Sequence, residues 1–107
     1  MGEAMTEYHV VLSKQAKTDI RGIYDYIATR FGYPDVARGQ CDRILDAIET
    51  LRYLPEKYDL VSFEPARSRS VRRVNVGNYA AFYMIEDDTV IVVGVKYAAS
   101  DLPKRVR

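Results

Sequence analysis

Four arginines, Arg67, Arg69, Arg72 and Arg73, stand within seven residues of one another. A guanidinium is a planar, permanently charged fork that matches the two oxygens of a carboxylate or a phosphate. The chemistry available to such a cluster is recognition of an oxoanion. Taken singly, each arginine can equally be a solvated surface charge of little energetic weight. The residues the chain lacks narrow the choice. His9 is the single histidine, so no histidine pair can share acid–base work or hold a metal. Cys41 is the single cysteine, which leaves neither an internal disulfide nor a multi-cysteine metal site. Any catalysis falls to Arg, Lys, Tyr, Asp or Glu, and no metal or cofactor is expected.

The elements that must position these arginines can be read from the spacing of apolar residues. Tyr8 to Ser13 is a short β-branched run and reads as a strand. Ser13 can cap a helix whose stripe is Ala16, Ile20, Ile23, Tyr24, Ile27 and Phe31, ending at Gly32-Tyr33-Pro34. Asp35 is the expected cap of a second helix that buries Ala37, Cys41, Ile44, Leu45, Ile48 and Leu51, with Pro55 closing it. So short a link makes the helices an antiparallel hairpin. Residues 56–70 show no period and read as a loop that carries Arg67 and Arg69.

Three strands follow. Val71 to Val76 meets Gly77-Asn78, a pair suited to a two-residue hairpin turn. Tyr79 to Ile85 places Tyr79 and Tyr83 on one face and Phe82 on the other. Glu86-Asp87-Asp88 reads as a solvated turn into Thr89–Tyr97, whose nearly unbroken apolar run predicts a central strand. The order β-α-α-β-β-β predicts an α+β fold: a small, twisted, mainly antiparallel sheet with the helical hairpin on one face. Its other face is expected to be a partly open hollow, with the four guanidiniums gathered along it.

A chain of 107 residues is long enough for one domain, and 48% hydrophobic against 29% charged residues describes a globular one. No membrane span or export signal is visible, so a cytoplasmic location is expected. Residues 1–7 read as flexible or tag-derived, and 102–107 as a basic tail. The net charge of +1 hides an asymmetry, because residues 1–64 hold 8 basic and 11 acidic residues whereas 65–107 hold 8 basic and 4 acidic.

Several blocks in register resemble the RelE/ParE superfamily of type II toxin–antitoxin toxins, from Tyr8 to Asp101. They are Val10 to Ile27, Ala47 to Pro55, Arg67-Ser68-Arg69, Arg72 to Tyr83, and Val90 to Tyr97 with Asp101. The resemblance implies a toxin neutralised by a cognate antitoxin. Its members divide between those that cut mRNA on the ribosome and those that act on DNA gyrase. Fold alone does not choose between these.

In the ribonuclease members a basic residue sits where this chain has Arg73. Their phosphate-stabilising arginine falls on Ala80, and their terminal polar groups fall on Ala98, Ala99 and Ser100. Each lost electrostatic stabiliser costs roughly 2–4 kcal/mol of barrier. The resemblance therefore implies a toxin that binds a target such as gyrase. The alternative is a metal-independent mRNA endoribonuclease resting on Arg67, Arg69, Arg73 and Tyr97, with Glu64 as proton acceptor. A second alternative is an attenuated member that only binds antitoxin and regulates its operon. Arg67, Arg69, Arg72 and Arg73 are the residues expected to meet target or antitoxin.

Overall fold

The computed structural model describes residues 7–98. Strand β1 (His9–Leu12) leads directly into helix α1 (Lys14–Asp25), and Ser13 is the cap: its Oγ accepts the Ala16 N–H at 3.0 Å. The backbone continues through one π-helical turn, Tyr26–Arg30, and reverses at Gly32, whose φ of +72° suits a residue without a Cβ. Helix α2 (Pro34–Glu49) opens on Pro34 rather than on an Asp35 cap. Proline has no N–H to leave unsatisfied in the first turn, and Asp35 lies one residue inside, where its charge complements the helix dipole. The helix also ends before Pro55. A 3-10 turn over Thr50–Arg52 tightens its end, and Pro55 instead opens a second 3-10 turn, Pro55–Lys57.

The remaining strands are β2 (Arg72–Val76), β3 (Tyr79–Glu86) and β4 (Thr89–Tyr97). The four-stranded sheet runs β1-β4-β3-β2, with β1 parallel to β4 and the other pairs antiparallel. Gly77, at φ +61°, takes the first position of the β2–β3 turn, and β4 is central as its apolar run predicts. This is the α+β architecture expected from the order of elements.

The helical hairpin covers one face of the sheet. Ala16, Ile44, Ile48 and Leu51 pack there on Val74, Ala81, Tyr83, Val90, Val92 and Val95. The alternation along β3 sends its even-numbered residues to the opposite face, which is not open. Residues 61–71 fold across it, so that Val61 and Val71 form a second core with Ala80 and Phe82, joined by Phe63, Ala66 and Met84. The loop is anchored to the outer edge of β2 through Val61 N–H to Val71 O (2.9 Å) and Arg73 N–H to Asp59 O (3.3 Å). The expected open hollow is thus largely filled. Val61, Phe63 and Val71 are too widely spaced to show a period, yet each is drawn to an apolar sheet face.

Candidate functional site

Strand β2 separates the two adjacent arginines by pointing them to opposite faces of the sheet. Arg72 lies on the helix side with Val74's alternation, and its guanidinium donates to the Tyr58 carbonyl (2.5 Å) and the Glu56 carbonyl (3.2 Å). It is spent on holding the segment that enters the loop. Arg73 lies on the loop side. Its Nε donates to Asn75 Oδ1 at 2.9 Å, and its guanidinium stands 5.6 Å from the centre of the Phe82 ring. These contacts orient it along a hollow of about 530 Å³, whose walls include Lys57, Asp59, Phe63 and Asn75.

Arg69 borders a second hollow of about 350 Å³ on the same face, floored by Phe82, Met84 and Val93 and sharing Phe63 with the first. Arg67 is exposed and lines neither. Glu64 is also exposed. Its carboxylate accepts the Ser68 N–H at 3.1 Å, and this hydrogen bonding, with a smaller contribution from the nearby Arg67 charge, holds its pKa below the usual glutamate value. A lowered pKa makes Glu64 a weaker proton acceptor. Tyr97 stands on the helix side, edge-on to Tyr79 with ring centres 5.7 Å apart, in a hollow of about 730 Å³ beneath α1.

The expectation that the four guanidiniums converge on one hollow is therefore corrected. Arg73 and Arg69 sit on one face around Phe63, Arg72 is turned to the other, and Arg67 faces outward. The β-period alone separates Arg72 from Arg73, and the turn over residues 62–70 separates Arg67 from Arg69. That turn is held by Arg67 N–H to Phe63 O (2.9 Å) and Val71 N–H to Ala66 O (3.0 Å). The positions where the resemblance implies polar groups in ribonuclease members are equally informative. Ala80 is 0% exposed inside the second core, and Ala98 packs against that core's edge. Ala99 and Ser100 lie outside the described residues, as does the basic tail.

Two neighbours of Arg73 escape a reading of the sequence. Asn75 follows it at strand period two, a signal that is present but weak. Lys57 arrives from a distant turn and leaves no local mark. Among the described residues no helix is long and apolar enough to cross a membrane.

No curated protein matches the chain. Among solved structures it is similar to the chromosomal ParDE toxin–antitoxin system of P. aeruginosa, with a TM-score of 0.70 at 15% identity, covering 86% of this chain and 97% of that one. It is similar also to the RelBE2 toxin–antitoxin complex of Mycobacterium tuberculosis, with a TM-score of 0.61 at 19% identity and coverage of 90% and 97%. The archaeal RelE-RelB complex of Pyrococcus horikoshii OT3 gives a TM-score of 0.58 at 21% identity, with coverage of 88% and 97%. These likenesses carry the fold. A family model described as the ParE toxin of the type II toxin–antitoxin system parDE matches residues 10–102. With nearly the whole chain matched, the protein belongs to this ParE toxin family, within the RelE/ParE superfamily.

Proposed function

We propose that this toxin acts by binding and blocking a macromolecular target, with DNA gyrase the first to test, and that a cognate antitoxin neutralises it. The observation that carries this reading is the second core. The position where the resemblance calls for a phosphate-stabilising arginine is Ala80, and it is sealed beneath Val61, Val71 and Phe63. The groups that would have to replace it are dispersed over both faces of the sheet, whereas phosphoryl chemistry needs them held within hydrogen-bonding reach of one reacting centre. Binding makes no such demand, and the Arg73 and Arg69 hollows remain accessible to a partner. The antitoxin part of the proposal draws on structural neighbours that are themselves toxin–antitoxin complexes.

The test pairs two assays on the full chain. Gyrase supercoiling is measured in vitro with purified protein, and primer extension maps mRNA ends after induction in cells. Loss of supercoiling with intact mRNA is the expected result. Cleavage of mRNA on the ribosome with normal supercoiling would overturn the proposal in favour of a ribonuclease using Arg67, Arg69, Arg73, Tyr97 and Glu64. Absence of growth arrest, with antitoxin binding retained, would leave a protein that only regulates its operon.

A further inference from the structure

We infer that β1 pairs with β1 of a second copy of this chain, joining two sheets into one about a twofold axis at Val11. This goes beyond the reading of the target and does not depend on it. The two outer edges of the sheet differ. At β2 the loop backbone closes the edge, with the Val61 N–H on Val71 O and the Arg73 N–H on Asp59 O. At β1 the closure stops at Tyr8, whose N–H donates to Arg52 O at 2.8 Å beside the bridge between Glu7 and Tyr53. His9 and Ser13 turn their N–H groups inward, to Asp88 O and Val92 O, each at 2.9 Å. The alternation of the strand therefore turns the N–H and C=O of Val10 and Leu12 outward, where no described residue meets them. An open edge strand is a template for pairing, and proteins blunt it with proline, lysine or a bulge. His9–Leu12 carries none of these.

Self-complementarity selects a second copy as the occupant. Antiparallel pairing about Val11 sets Val10 opposite the partner's Leu12, and Leu12 opposite the partner's Val10. Each pair exchanges two N–H to C=O hydrogen bonds, so every outward backbone group of Val10 and Leu12 is used. The side chains fit the same arrangement. Met84 pairs with Ile91 and Ile91 with Val11, so an apolar row crosses three strands on the loop-side face and ends at the open edge. Val11 is 46% exposed there, and the partner's Val11 would extend the row into the second sheet. The flanking pairs, His9 with the partner's Ser13 and Tyr8 with the partner's Lys14, set no like charges opposite each other. The axis runs through the sheet, so both loop-side faces look the same way. Two Arg73 hollows then face one side, with their β2 strands about 34 Å apart across the eight-stranded sheet. One large target could be held at both ends.

Sedimentation velocity on the full chain is the test. Strands this short bury less than a standard interface, so monomer is expected to give way to dimer between about 10 µM and 1 mM. Val11→Lys sets two like charges face to face at an exposed position and should weaken association about tenfold or more. Val10→Pro removes an outward N–H without touching a hydrogen bond to β4 and should act in the same direction. Val11→Lys carries the test alone if circular dichroism shows Val10→Pro unfolded. Val11→Cys should form a disulfide-linked dimer under mild oxidation, because the paired positions lie within disulfide reach. Tyr33→Cys, at a residue 61% exposed on the helical hairpin, should cross-link far less. A chain still monomeric at about 1 mM overturns the proposal. So does a dimer that survives Val11→Lys, or equal cross-linking from Tyr33→Cys. A monomer whose Val10 and Leu12 amides gain protection from hydrogen exchange only on adding antitoxin would also overturn it, and would assign the edge to that partner.

Discussion

Tyr83 shows how one side chain joins the two ends of the site-bearing segment. It is 0% exposed, and its O–H donates to the Pro55 carbonyl at 2.5 Å. Arg72, its cross-strand partner, donates to the next carbonyls along, so strands β2 and β3 together clamp the turn that delivers Lys57. Burial pushes the Tyr83 phenol from its ordinary 10.0 up to about 12, and the nearby Arg72 charge offsets part of that rise. Because the folded-state value lies above the unfolded one, the stabilisation is complete below about pH 10 and is lost as pH rises toward about 12. Urea unfolding across that alkaline window should show stability falling in the native chain. In Tyr83→Phe this component of the fall should be absent, and stability at neutral pH should be lower by about 1–3 kcal/mol because the Pro55 carbonyl loses its donor.

Among the elements, the junction of α1 with β4 combines the packing of Ala16, Ile20 and Ile23 on Val92 and Val95 with one polar tie from a carboxylate. The β3–β4 register shifts between Phe82 and Tyr83, pairing Phe82 with Gly94 and Tyr83 with Val92, so that Val93 is the extra residue of a bulge. Asp19 from α1 reaches this bulge. Its Oδ2 accepts the Val95 N–H at 2.9 Å, and its Oδ1 accepts from Gln15 at 2.7 Å and faces Lys96 at 3.6 Å. Gly94 leaves room for this approach, since a Cβ there would stand 3.3 Å from Asp19 Oδ2. Replacing Asp19 by Ala should cost about 2–3 kcal/mol in chemical denaturation and speed hydrogen exchange at the Val95 amide. Asp19→Asn keeps an acceptor and should lose less on both measures.

Across the whole molecule, the distinctive feature is a four-stranded sheet with a core on each face, one under the helical hairpin and one under the loop over residues 61–71. Introducing Ala80→Arg, the residue that the ribonuclease pattern would have there, should not create a nuclease. It would force a guanidinium into a site with 0% exposure, lowering stability by at least about 3 kcal/mol or prising the loop away. A thermal melt and primer extension on the same variant check both halves of this expectation. A stable Ala80→Arg protein that cuts mRNA would show the second core to be no obstacle to catalysis.

Local sequence was sufficient for the elements because helix stripes, the Ser13 cap and the Gly77-Asn78 turn act over three or four residues. Ile20 and Ile23, or Val90 and Val92, carry their periodicity wherever they are placed. The boundaries at Asp35 and Pro55 were less legible, since each neighbourhood offers more than one way to satisfy the helix-end backbone groups. The family was also legible, through blocks at Val10 to Ile27 and Arg72 to Tyr83 that keep their order. The strand period already sets Arg72 and Arg73 on opposite faces, but only the tertiary structure decided which face each arginine meets and what it touches there. Nearness along the chain does not survive a strand that turns Arg72 and Arg73 to opposite faces, or a turn that divides Arg67 from Arg69. Nor could spacing reveal that Val61, Phe63 and Val71 close over Ala80. Burial of apolar surface is non-directional and acts between residues distant in sequence, so the face a loop covers is settled only when the sheet beneath it exists.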